Sequence, residues 1–162
     1  MLVLLQSFKK TSLTDFHKFF FNFTKKSMLK NFPFIISVAI VAIILFQSTL
    51  IAPAINKFIN IKEASVILRF IWPIFFIIIS VLSVISILSM YIIDLDQTLP
   101  KLYMVVSLGL MISCYFITPI INNAKDTSND QLWTILHLFT IIATAIALLV
   151  NILNIIYWEI NK

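Results

Sequence analysis

From Phe34 to Ile55 the chain carries no formal charge, and the same holds for Phe70 to Ile93 and for Leu102 to Ile121. A fourth stretch, Trp133 to Trp158, contains one ionisable residue, His137. Crossing the hydrocarbon core of a bilayer takes about 20 apolar residues in a helix. Each stretch is long enough to do so. Lipid offers a backbone no hydrogen-bond partners, so such segments must be helices that satisfy themselves. Aromatic residues stand near their ends: Trp72, Tyr91, Tyr103, Trp133, Tyr157 and Trp158, as side chains at the headgroup level do. The expected fold is an all-α membrane protein, a bundle of four transmembrane helices over residues 33–162, with spans at about 34–55, 70–93, 102–121 and 133–158.

Composition agrees. Of the 162 residues, 60 % are hydrophobic and 12 % charged, and the mean hydropathy is +1.03. So short a chain has too little interior to hide that much apolar surface from water. The single glycine, Gly109, excludes a Gly-rich phosphate cradle, and the single cysteine, Cys114, excludes an internal disulfide. Asp94-Leu-Asp-Gln-Thr-Leu-Pro100 and Asn122 to Asp130 read as short polar connections, with their aspartates as solvated turn residues. Pro73 reads as lying in the first turns of the second helix, where a missing N–H costs least.

Residues 1–32 are different. Phe16, Phe19, Phe20 and Phe23 recur at helical spacing, with Lys18, Lys25 and Lys26 on other faces. This reads as an amphipathic helix lying in the headgroup region. An equal alternative is that translation starts at Met28. Lysine and arginine counts give eight on the side of the termini against four on the other. That bias places both termini in the cytoplasm. Starting at Met28 the count becomes three against four, and the bias vanishes.

A weak duplication runs through the chain. Ile51-Ala-Pro53-Ala-Ile55-Asn56 closes the first span and Ile117-Thr-Pro119-Ile-Ile121-Asn122 closes the third. Ile67-Leu-Arg69-Phe opens the second span and Ile135-Leu-His137-Leu opens the fourth. The bundle is then two helical hairpins related by an axis along the membrane normal. Arg69 and His137 are expected at the same depth, near one surface.

The fourth span carries His137, Thr140, Thr144, Ala147, Asn151 and Asn154 at spacings of three and four. The second span carries Ser83 and Ser86 at the corresponding places. Small and polar residues let membrane helices approach and hydrogen-bond, so these stripes are read first as packing faces. The competing reading is the lining of a permeation path. Ionisable residues inside a span are costly and mark candidate sites. Arg69 either anchors its helix at the headgroups or faces Gln47, Asn56, an anionic ligand or a lipid. His137 is either a core histidine bonded to a backbone carbonyl, or a proton relay or metal or haem ligand. The candidate ligand site is Gln47, Pro53, Asn56, Arg69, Pro119, Asn122 and His137. No catalytic set, metal-ligand spacing or cofactor motif is present in the sequence, so neither an enzyme nor a bound cofactor is expected. The expected partners are the lipid bilayer, further copies of the chain or other membrane proteins, and no nucleic acid.

Phe46-Gln-Ser-Thr-Leu-Ile-Ala-Pro53, Ala64, Arg69-Phe-Ile-Trp-Pro-Ile-Phe75, Thr118-Pro-Ile120, Leu132, Leu136-His137 and Asn151 together resemble the transmembrane-protein-205-like family, also described as domain of unknown function 4149. The resemblance covers about residues 28–158. It implies a four-span domain, compact inner-membrane bacterial members and no established catalytic activity. Arg69, Pro53, Pro119 and His137 are where a family site would fall. The segment before Met28 has no counterpart in that pattern.

Overall fold

The structure, a computed structural model, describes residues 30–93 and 97–160. The amphipathic helix expected near the N-terminus falls outside the described residues. Four long helices account for nearly everything else: α1 (Phe32–Phe58), α2 (Ile61–Ile92), α3 (Thr98–Asp126) and α4 (Asp130–Ile160). All four are long and apolar enough to cross a membrane. The fold is thus the expected helical bundle.

The helices overrun the predicted spans at almost every end. At 1.5 Å per residue a helix of 32 residues is about 48 Å long, well beyond a hydrocarbon core of about 30 Å. The extra turns are polar and run into the headgroup layer, where apolarity no longer reports on helix. Two corrections follow. Pro73 is not in the first turns: α2 begins at Ile61, capped by the Asn60 side chain, whose Oδ1 accepts from the Glu63 N–H at 3.1 Å, and Pro73 is interior. Asp126 is not a loop residue but ends α3. The turn to α4 is only Thr127, Ser128 and Asn129. The Asn129 N–H donates to the Ala124 carbonyl at 2.9 Å and the Ser128 N–H to the Lys125 carbonyl at 3.3 Å, with Ser128 left-handed at φ 55°. This is a Schellman stop. Asn129 then caps α4, accepting from the Leu132 N–H at 3.1 Å.

Pro53 has a visible consequence. Just before it, Gln47–Ile51 form a π turn in which the Ala52 N–H reaches back to the Gln47 carbonyl. A proline ring clashes with the carbonyl four residues earlier, and widening the preceding turn is one way to accommodate it.

The helices form an up-down-up-down bundle in which α3 packs against α2 and α4, while Phe32–Phe46 of α1 packs on α4 and α2. The Ala52–Phe58 part of α1 packs on α2. At mid-height the core is apolar, with Ile36, Ile40, Ile44, Phe75, Phe76, Ile79, Met111, Cys114, Ala143 and Ala147. Large apolar side chains also cover the outside, among them Phe70, Val81, Leu88, Phe116, Ile141 and Leu149. An apolar exterior around a partly polar interior is the arrangement lipid solvation permits.

Candidate functional site

The polar stripes point inward. Ser83, Ser86, Thr140, Thr144, Asn151 and Asn154 are all buried. Near the end of the bundle that holds the described termini they bond across helices. Asn151 Nδ2 donates to Ser107 Oγ at 3.1 Å, and Ser83 Oγ lies 3.4 Å from the same oxygen, which joins α2, α3 and α4. Asn154 Nδ2 donates to Ser37 Oγ at 2.8 Å, which ties α4 to α1, and the Ser37 hydroxyl donates to the Pro33 carbonyl at 3.1 Å. This layer locks the bundle. Packing within one chain thus employs both asparagine amide nitrogens, while Ser86 Oγ, Asn151 Oδ1 and Asn154 Oδ1 are buried with no hydrogen-bond partner among the described residues.

The opposite end is open. A cavity of about 810 Å³ enters between all four helices there, within the 300–1,000 Å³ range of small-ligand sites. Asn56 of α1, Arg69 of α2, Asn122 and Lys125 of α3, and Trp133 and His137 of α4 stand around its polar end. Ile44, Leu68, Trp72, Phe76, Ile121 and Leu148 line its depth. Trp72 packs edge-on against Phe75 at 5.5 Å and is stacked on Phe76 at 5.8 Å, which makes one wall rigid.

Four of the seven candidate site residues are brought together here: Asn56, Arg69, Asn122 and His137. The expectation that Arg69 and His137 share one end of the bundle matches their common cavity. The other three do not line it. Pro53 and Pro119 are exposed outside. Gln47 is buried in the π turn, and its Nε2 has no hydrogen-bond partner among the described residues.

Arg69 hydrogen-bonds to neither Gln47 nor Asn56 among the described residues. Its guanidinium grips Asp126 with both arms, Nη1 to Oδ2 at 3.0 Å and Nη2 to Oδ1 at 2.6 Å. The sequence hides this partner because Asn122 to Asp130 reads as a loop. The signal available was the absence of any helix breaker between Pro119 and Ser128, which carries α3 one turn past Asn122 and sets Asp126 on the same face. Among the described residues no backbone carbonyl holds the His137 ring. Its ring stacks on Trp133, with centroids 5.1 Å apart and planes 11° from parallel. Lys125 lies over the other partner of that stack, its Nζ 4.5 Å from the Trp133 ring and 3.6 Å from Asp130 Oδ1.

Cys114 is buried in the apolar core. Among the described residues no three histidine, cysteine or carboxylate side chains cluster as metal ligands would. No protein-family model matches the chain, and neither a curated protein nor a solved structure matches it.

Proposed function

We propose that this is a non-catalytic membrane binding protein that holds one small ligand in the cavity at the Arg69–His137 end. The observation that carries the reading is that cavity. Arg69 and His137, singled out by their cost inside a span, and Asn56 and Asn122, singled out by the repeat, converge on one space of ligand size. A bundle selected only for stability would close such a space, because a void forfeits packing contacts. The apolar depth and polar end suit a ligand that is itself part apolar. The resemblance to the transmembrane-protein-205-like family fits this role, since Arg69 and His137 carry both. So does a true duplication, which places the matching residues Arg69 and His137, one from each hairpin, at the cavity.

In a bacterial inner membrane with both termini cytoplasmic, the polar end of the cavity faces outward. Transport through an oligomeric pore is the competing reading. It draws less support from the polar stripes, since the Asn151 and Asn154 amide nitrogens and the Ser83, Thr140 and Thr144 hydroxyls are bonded within one chain.

Ala145 is exposed on the cavity wall and Leu149 lies a turn further on the lipid side. Organic extracts of the detergent-purified protein, compared by mass spectrometry, test the proposal. Wild type and Leu149→Trp should carry one amphiphile class at close to one per chain, and Ala145→Trp should lose it. Identical lipid profiles in all three would refute a defined site.

A further inference from the structure

We infer that the ligand is an uncharged amphiphile with a hydrogen-bonding head, such as a hydroxyl- or carbonyl-headed single-chain lipid, and that it enters sideways from the bilayer between α1 and α4. This rests on the binding reading above and specifies its ligand.

The charge balance at the polar end comes first. Two cations line the cavity, and both are already matched. Arg69 is held in bidentate fashion by Asp126, and Lys125 lies between Asp130 and the face of Trp133. The two carboxylates neutralise the two lining cations, so the cavity wall offers no unmatched cation to an anionic head. An anion would have to displace Asp126 from a two-bond grip that is stronger than a neutral hydrogen bond. What remains for a ligand is neutral. The amides of Asn56 and Asn122 and the ring nitrogens of His137 have no hydrogen bond to another side chain among the described residues, and all three residues border the cavity.

The wall is less polar than its composition suggests. Thr118, Thr140 and Thr144 line it, yet each hydroxyl donates to its own helix: to the Cys114 carbonyl at 2.8 Å, the His137 carbonyl at 2.8 Å and the Thr140 carbonyl at 2.8 Å. With their protons used, these threonines have no donor left for the ligand. Ser48 and Ser65 are the other lining hydroxyls, and the rest of the depth is Ile44, Leu68, Trp72, Phe76, Ile121 and Leu148, so most of the ligand's body is apolar.

The route is lateral. Leu45 and Ser48 on α1 and Ile141 and Ala145 on α4 line the cavity and are also exposed, Leu45 by 43 % and Ile141 by 52 %. The wall is thus open on the side that lipid covers. The π turn at Gln47–Ile51 forms the α1 edge of that opening. A ligand that never leaves the bilayer needs no other door.

The test uses the full chain in neutral detergent micelles, with Trp158→Phe to leave Trp72 and Trp133 as reporters. The probes are a monoacylglycerol and a fatty-acid anion with the same bromine-labelled chain, added at equal micelle fractions. Bromine quenches tryptophan on contact. The monoacylglycerol should quench saturably and at least ten-fold more tightly than the anion. His137→Phe, which keeps the stack on Trp133 but removes the nitrogens, should weaken it several-fold together with Asn122→Leu. Equal or tighter binding of the anion overturns the uncharged head while leaving a ligand site in place. Saturable quenching by neither probe overturns the cavity reading as well. The comparison of probes on the unsubstituted site decides the question even if those two variants fail to fold.

Discussion

Ala147→Phe is expected to destabilise the bundle by about 1–3 kcal/mol, the range for forcing a larger side chain into a packed interior. Ala147 is fully buried on α4, in the cluster that contains Ile40, Ile44, Phe75, Phe76 and Ile79. In a membrane no gain from leaving water holds helices together, since lipid tails are as apolar as the interior. Close approach is what counts, and a methyl side chain permits it. A phenyl ring there has to push α4 away from its neighbours, and it strains the polar layer one turn further along, where Asn151 and Asn154 hold α1, α2 and α3. Leu149→Phe is the control. Leu149 is 54 % exposed, and on the lipid side a larger apolar residue costs almost nothing. Unfolding by SDS titration from mixed micelles should separate the two variants clearly. Equal stabilities would mean that α4 does not pack as described.

The second large effect concerns the end of the bundle. Arg69→Asp sets a carboxylate against Asp126 where a bidentate pair stood. Two bonds are lost, and the two like charges then repel at the mouth of the cavity. Both groups are partly solvent-exposed, with side chains 33 % and 58 % accessible, so screening reduces the effect and salt should shrink it further. The melting temperature in detergent should fall more for Arg69→Asp than for Arg69→Leu. The exchanged pair, Arg69→Asp with Asp126→Arg, should recover most of the loss. Failure of the exchange to recover anything would show that Arg69 acts through some other contact.

Much of this architecture was legible in the sequence, for a reason specific to lipid. A span needs about 20 apolar residues with few charges, so Phe34 to Ile55 or Leu102 to Ile121 can be little else. The ends were not legible. Once a helix leaves the hydrocarbon, as at Ile61–Arg69 or Asn122–Asp126, polarity stops separating helix from loop. That is why Pro73 and Asp126 were misplaced. Arg69, His137, Asn56 and Asn122 could be found because ionisable residues near spans are few and these recur at matching places in two hairpins. Their contacts could not. Asp126 comes from a different hairpin, and the spacing within α2 says nothing of it. Asn151 and Asn154 could be seen to share a stripe, but their partners Ser107 and Ser37 lie on other helices. The spent hydroxyls of Thr118, Thr140 and Thr144 appear only when each side-chain rotamer is known.

The fold and its cavity both depend on the exposed faces of these four helices being covered by lipid. Fractionation of cells expressing the full chain tests that directly. The protein should stay with the membrane pellet through an alkaline carbonate wash and enter the supernatant only with detergent. Recovery of the folded chain in the detergent-free supernatant after ultracentrifugation would contradict it.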